Sequence, residues 1–214
     1  MPMKKRTPVR PRKSAKPSQG AAPKRAQAPE AAKTTIRRLR GELARARKQI
    51  QELQASADTD FLLGIPNRRG FERELARVLA YIKRYRATGA LIVLDVDRLK
   101  PINDAFGHAA GDQVLKAIVA VLTSQVRSSD IVGRLGGDEF ALLLWNLSET
   151  DAKAKAAALE EAIDRLTFRF GSNTITAGAS AGVATLGSHA EPGRALEAAD
   201  SAMYRRKAQR RHEA

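Results

Sequence analysis

The sequence predicts an α+β domain with a central, mainly antiparallel sheet flanked by helices. Three observations predict it. Apolar residues at helical spacing alternate along the chain with short, β-rich apolar runs. Two of those runs, 131–135 and 140–144, are separated by Gly136-Gly137 and two acids, which reads as a hairpin and hence an antiparallel pair. A further glycine turn, Gly171-Ser172-Asn173, joins the runs 168–170 and 174–186. Hairpins among alternating helices argue against a wholly parallel sheet.

The first 33 of the 214 residues carry ten Lys/Arg against one acid, Glu30, a net of +9 out of a formal +15, and hold six of the nine prolines. A segment so poor in large apolar residues cannot offset its ordering entropy and is expected to be disordered. It reads either as a solvated, solubilising tail or as a tether to an acidic protein, nucleic acid or an anionic membrane. From Thr34 the pattern changes. Ile36, Leu39, Leu43, Ala46, Ile50, Leu53 and Ala57 recur at spacings of three and four, an a/d seam of about three heptads. Glu42 at g and Arg47 at the next e attract across a parallel dimer, whereas Gly41 and Ala46 weaken the seam. Residues 34–57 are expected to form a coiled-coil dimerisation helix; the alternative is an amphipathic helix lying on its own domain.

Residues 58–69 read as a loop punctuated by Gly64 and Pro66 and open the domain 58–214. Phe71, Leu75, Val78, Leu79 and Ile82 mark a helix closing near Gly89. Residues 90–96 form an apolar, buried strand, and Val114, Ala117, Ile118, Val121 and Leu122 mark a second helix. After the hairpin, Ser148 with Asp151 looks like a capping box opening a helix through Leu166. A last helix starts near Pro192 and ends among Arg205, Arg206, Lys207, Arg210 and Arg211. With 43% hydrophobic residues the chain can bury a sizeable core. The absence of cysteine excludes disulfides, thiolate zinc sites and thiol catalysis. No apolar run is long enough to span a bilayer and no signal-peptide core is visible, so a cytoplasmic protein that is not transmembrane is expected.

The strand 90–96 runs into Asp95-Val96-Asp97. Alternation sends Asp95 and Asp97 to one side and Val96 to the other. A carboxylate at the end of a buried strand is costly unless it binds something. A second acidic pair, Asp138-Glu139, stands just before the run 140–144. Two readings stand. Either the strands are neighbours and the acids converge on a site for a hard divalent cation with nucleotide phosphates, or these are two surface strand ends that never meet.

Five motifs in order then resemble the GGDEF-domain diguanylate cyclase family over about residues 60–211. They are Asp60-Phe61-Leu62-Leu63-Gly64-Ile65-Pro66-Asn67-Arg68-Arg69; Asp95-Val96-Asp97-Arg98-Leu99-Lys100-Pro101-Ile102-Asn103-Asp104 followed by Gly107-His108 and Gly111-Asp112; Gly136-Gly137-Asp138-Glu139-Phe140; Ser180-Ala181-Gly182-Val183-Ala184; and Ala199-Asp200-Ser201-Ala202-Met203-Tyr204. The resemblance implies a nucleotidyl-cyclase-like, palm-like domain that joins two GTP into cyclic di-GMP and releases two pyrophosphates, each subunit of a homodimer holding one GTP. It implies that Asp95, the Val96 carbonyl and Asp138 coordinate Mg²⁺ (or Mn²⁺), with Glu139 supporting the metals and the attacking hydroxyl. It places Asn103 and Asp112 on guanine, Leu62 against the base, and Lys100, Lys207 and Arg211 on the phosphates. Gly136 and Gly137 let backbone approach phosphate. Taken without the family, Asp112 reads as a cap of the helix at Gln113, and Lys207 and Arg211 as a solvated helix end.

Several positions depart from the family pattern. Leu63 replaces a usual Thr, Leu99 a usual Phe, and Arg206 and Arg210 replace small residues; Leu99 is expected to loosen the pocket and raise the apparent KM for GTP. Arg127-Ser128-Ser129-Asp130 lies five residues before Gly136, the register of the family's Arg-x-x-Asp inhibitory site, which implies product binding by Arg127 and Asp130. An active cyclase is therefore the first reading. The alternatives are a catalytically silent cyclic di-GMP receptor using Arg127 and Asp130, and an interaction protein whose main surface is the basic tail.

Overall fold

The computed structural model describes residues 27–213. The expected disorder of residues 1–26 lies outside the described residues. The chain divides into two units, Met1–Gln49 and Ile50–Ala214. Helix α1 runs Gln27–Ala57, so residues 27–33, expected to be disordered, are helical. The reason is local: Ala28, Glu30, Ala31 and Ala32 are strong helix formers, and Pro29 falls in the first turn, where its missing N–H is tolerated. Within α1, Ile36, Leu39, Leu43 and Ile50 are each about half exposed, and Arg38 pairs with Glu42 one turn on at 3.9 Å.

The second unit builds on a sheet of four strands: β1 Gly89–Asp97, β2 Ile131–Gly136, β3 Glu139–Trp145 and β6 Gly178–Leu186. Their spatial order is β2-β3-β1-β6, and every neighbouring pair is antiparallel. β1 is central and buried along almost its whole length, which is why it reads as an unbroken apolar run. Its side chains alternate between two cores. Ile92, Leu94 and Val96 pack with α4 (His108–Ser124) and α5 (Glu149–Asp164) on one face. Leu91 and Val93 pack with α2 (Arg68–Tyr85) and α6 (Pro192–Glu213) on the other. The fold is thus α+β, with an antiparallel sheet between helices.

Two elements differ from expectation. The run 174–186 is not one strand. It breaks at Ala177, whose N–H turns aside to Leu166 O at 3.3 Å. Its first part, β5 Asn173–Thr176, pairs only with β4 Thr167–Phe170 in a separate hairpin. A short helix, α3 Leu99–Phe106, was not foreseen. It starts from Arg98 at φ 64 with no side-chain cap, so it lacks the sequence signals that announce a helix. Ser148 does cap α5, accepting from the Asp151 N–H at 3.1 Å. No helix among the described residues is long and apolar enough to cross a membrane.

One glycine fixes how closely α6 sits on the sheet. A β-carbon at Gly182 on β6 would overlap the backbone of Ala199 and Met203 on α6. Backbone cannot move aside as a side-chain tip can. Gly182→Ala should therefore lower stability by about 1–3 kcal/mol, seen as an earlier midpoint in denaturant. An unchanged midpoint would mean that α6 does not lie this close to β6.

Candidate functional site

The antiparallel register of β1 and β3 places Asp95 directly opposite Glu139. One residue further on, the Val96 N–H donates to Asp138 O at 2.9 Å. The two acidic segments foreseen at separate strand ends therefore meet. The turn between β2 and β3 is irregular, with a register shift between Arg134 and Gly136 and Gly137 at φ 29, a conformation glycine adopts without β-carbon strain. A β-carbon at Gly136 or Gly137 would meet only open space, so the backbone of the turn is bare towards any approaching group.

Arginines strap this turn to the loop ahead of α2. Arg134 donates to Gly137 O at 2.6 and 3.1 Å and to Asp60 Oδ2 at 3.0 Å. The other Asp60 oxygen accepts the N–H groups of Leu62 and Leu63, both at 3.0 Å. Arg68 donates from Nε to Leu135 O at 2.7 Å and stands 3.5 Å from Glu139 Oε2. Asp60 and Arg68 fall within the first motif and Arg134 just ahead of the glycines, and no role for them follows from the sequence. The bonds from Arg134 to Asp60 and from Arg68 to Leu135 span 74 and 67 residues, which no local pattern displays.

Burial shapes the charge of the acids. Loss of hydration pushes the Asp95 carboxyl above its ordinary range; the Lys207 ammonium, bonded to Oδ1, opposes this, while Asp138 and Asp97 add to it. Glu139 is also raised by burial, opposed by Arg68 and reinforced by Asp200, Asp95 and Asp138. This is an oxygen-rich, anionic strand end in want of positive charge. Among the described residues no three Asp, Glu or His side chains form a ready-made metal cage. Two carboxylates and a main-chain carbonyl nonetheless suit Mg²⁺ or Mn²⁺, since Mg²⁺ is commonly held by one or two carboxylates plus substrate phosphates. Asp95, the Val96 carbonyl and Asp138 would supply such a donor set, with Glu139 beside them.

Beside the acids opens a cleft of about 540 Å³. Val96 and Asp138 line it at the acidic end, Lys100 at α3, and Lys207 and Arg211 from α6. Lys207 also bonds Asp95 and so is not a merely solvated helix end, whereas Arg211 lines the cleft as an exposed side chain. Leu99, 7% exposed, lies in the same wall. Asp97 lines the cleft as well, where it accepts from Ser180 Oγ at 3.2 Å and faces Arg210 Nε at 3.5 Å. Asn103 on α3 abuts Gly111, where a β-carbon would collide with its side-chain amide. Its Oδ1 is buried with no hydrogen-bond partner. Such an orphaned acceptor is expensive unless a ligand satisfies it. Asp112 follows Gly111 inside α4 as the fifth residue of the helix that starts at His108, so it is not the helix cap. Leu62 packs partly buried against the core that includes Ile102 and Ala110.

The predicted residues are not all in one cavity. Gly136 and Gly137 line a separate shallow depression with Asp60, Arg68 and Arg134. Arg127 and Asp130 sit in the turn before β2, where Asp130 accepts the N–H groups of Arg127 at 2.9 Å and Trp145 at 3.2 Å. Arg206 and Arg210, where small residues were expected, tie α6 to α5. Arg206 donates from Nε and Nη2 to Glu160 Oε2, both at 3.0 Å, and buried Glu160 also accepts the Ala181 N–H at 2.7 Å. Arg210 grips both oxygens of Asp164 at 2.7 and 2.9 Å. This clamp holds the stretch of α6 that carries Lys207 and Arg211.

The model of the diguanylate cyclase, GGDEF domain family matches residues 57–213, and the chain belongs to that family. It is 39% identical to diguanylate cyclase TpbB of Pseudomonas aeruginosa over 170 residues, 78% of this chain and 39% of that protein. It is 36% identical to diguanylate cyclase DgcP of the same species over 160 residues, 74% of this chain and 24% of that protein. The chain thus spans well under half the length of these two curated relatives. Among solved structures, the coiled coil and GGDEF domain of DgcB from Caulobacter crescentus, in complex with c-di-GMP, aligns with a TM-score of 0.72 at 25% identity, covering 84% of this chain and 95% of that one.

The raised acids carry a sign for stability. Each binds its proton more tightly in the folded than in the unfolded chain, so its ionisation weighs against the fold above the folded pKa. That cost fades as pH falls through the folded pKa. In metal-free protein, Glu139→Gln should be at least as stable as wild type at about pH 7.5, with the advantage shrinking towards about pH 4. Denaturant melts in chelator at both pH values check this. A variant less stable at the higher pH would contradict burial as the dominant influence.

Proposed function

We propose that the domain condenses two GTP into cyclic di-GMP with release of two pyrophosphates, acting as a homodimer with Mg²⁺ or Mn²⁺ held by Asp95, the Val96 carbonyl, Asp138 and Glu139. The observation that carries this is Asp95 opposite Glu139, next to Val96 and Asp138, which are clipped together and line a cleft that also gathers Lys100, Lys207 and Arg211. A divalent ion there supplies charge neutralisation of the triphosphate and a lowered pKa for the attacking 3′-hydroxyl. Lys100, Lys207 and Arg211 bind the phosphates and orient the α-phosphate for in-line attack. Glu139, beside Asp95 across the strand pair, supports the ion and the attacking hydroxyl. The orphaned Asn103 oxygen takes a guanine N–H donor, and Asp112 takes the others. The bare backbone at Gly136 and Gly137 lets phosphate approach closely.

The two nucleotides belong to two subunits, so the seam on α1 supplies the second half of the site at high effective concentration. Product bound at Arg127 and Asp130 restrains turnover. The working compartment is the cytoplasm, where GTP is available. The competing reading, a silent cyclic di-GMP receptor, is separated by one assay: purified protein with GTP and Mg²⁺ yields product if the domain is an enzyme, and binds without turnover if it is a receptor.

Asp138→Ala and Glu139→Gln should each abolish turnover, by at least about a hundredfold, with an unchanged circular dichroism spectrum. Activity preserved in either variant sinks the metal assignment. Arg127→Ala should relieve product inhibition with little change in initial rate; a nucleotide-free wild type already insensitive to product refutes the inhibitory role. Leu43→Lys with Ile50→Lys puts like charges into a seam where each buried leucine contributes roughly 1.5–3 kcal/mol. That variant should sediment as a monomer at low protein concentration, bind GTP about as well, and lose most specific activity. A dimeric, fully active variant would show that α1 is not the tether.

A further inference from the structure

The charge of this chain is concentrated far from the acidic strand end. Residues 1–48 hold sixteen Lys/Arg against Glu30 and Glu42, a net of +14 of the total +15, whereas residues 49–214 are nearly balanced at +1. Much of this charge is on an ordered element. On α1, Arg37, Arg38, Arg40, Arg45, Arg47 and Lys48 are all exposed. They span roughly 17 Å of axis at about 1.5 Å per residue, with Glu42 the single acid among them.

Where they lie on the helix matters. With Ile36 and Leu43 at a and Leu39 and Ala46 at d, Arg37, Arg38, Arg45 and Lys48 fall at b, c and f. Those positions lie away from the apolar seam and from the e and g flanks. A coil that buries its seam still presents these cations to solvent. We propose that this face of α1 is a docking surface for the phosphate backbone of duplex DNA, bound without sequence preference.

The chemistry favours that partner over others. Residues 1–57 contain no Trp, Tyr or Phe. Stacking on unpaired bases, the usual grip on single strands, is therefore absent. So are the aromatic anchors of an interfacial membrane helix, and the apolar side of α1 is a narrow a/d stripe rather than the broad face such helices bury. A row of cations matches a duplex that carries about one negative charge per 1.7 Å of axis. B-form DNA also offers a major groove about 12 Å wide that admits a helix, whereas the A-form groove of duplex RNA is too narrow for one. The six side chains are mainly arginine, which binds phosphate through two parallel N–H donors.

The test is a binding titration, independent of GTP turnover, so its failure leaves the cyclase reading untouched and failure of the cyclase reading leaves it untouched. Fluorescence anisotropy of a labelled duplex DNA of about 25 base pairs is measured with the full chain between about 50 and 200 mM salt. Wild type should bind at the lower salt, equally for unrelated sequences, with affinity falling steeply as salt rises. Replacing Arg37, Arg45 and Lys48 together by Gln keeps strong helix formers and the e and g flanks, and should flatten the log–log salt slope by about 2–3. Arg37→Lys, Arg45→Lys and Lys48→Arg together should bind within a few fold of wild type. The proposal is overturned by no binding at the lower salt, or by a slope unchanged in the Gln variant. Equal or tighter binding to duplex RNA, or to phosphatidylserine vesicles of matched charge, overturns it as well.

Discussion

Everything in the site hangs on one backbone registration, the pairing of β1 with β3. A slip of β1 by one residue would exchange Leu91 and Val93 with Ile92 and Leu94 between two cores packed around different side chains, and close packing resists that exchange. That same locked register sets Asp95 against Glu139 and hands the Val96 N–H to Asp138. The apolar core thus fixes the geometry of the charged site. The core also supplies its electrostatics: Asp95 is only 8% exposed, and withheld hydration makes its negative charge costly. The fold thus holds a costly charge that the Lys207 ammonium partly offsets and that, under the proposed function, a divalent cation would offset further.

Around that end, cations are set in two rings. Arg68 and Arg134 hold the β2–β3 turn and the loop of Asp60 in place by bonds to backbone carbonyls and carboxylates. Lys207 reaches Asp95 from α6, and the position of α6 is set in turn by Gly182 beneath it and by the Arg206 and Arg210 clamp to α5. The first ring is structural. The second belongs to the cleft, because Lys207 and Arg211 line it. Arg206 and Arg210 stand where the resemblance led to small residues, and they replace close packing by ion pairs.

Much of this was legible in the sequence, and the physical reasons are particular. The burial of Phe71, Leu75, Val78, Leu79 and Ile82 follows from helical spacing, and the β2–β3 hairpin from two glycines between apolar runs. The convergence of Asp95 and Asp138-Glu139 was left open by spacing, since strand order is a tertiary fact. Helix α3 was hidden because its start at Arg98 has positive φ and no capping side chain. The break at Ala177 was hidden because it depends on Leu166 in another segment. Glu160 and Asp164 gave no hint of partnering Arg206 and Arg210, which lie 46 residues away. The guanine contact proposed for Asn103 rests on resemblance, and the bare Oδ1 is a physical sign of a missing donor that no sequence pattern displays.

The central claim is that the β1–β3 strand end holds the cation that carries the nucleotide. Calorimetric titration of GTP into wild type and Asp95→Asn, each with Mg²⁺ and with chelator, tests it without requiring turnover. Wild type should bind GTP much more tightly with Mg²⁺ than without, and Asp95→Asn should lose most of that difference while keeping its fold. An Asp95→Asn protein whose GTP affinity depends on Mg²⁺ as strongly as that of wild type would contradict the account.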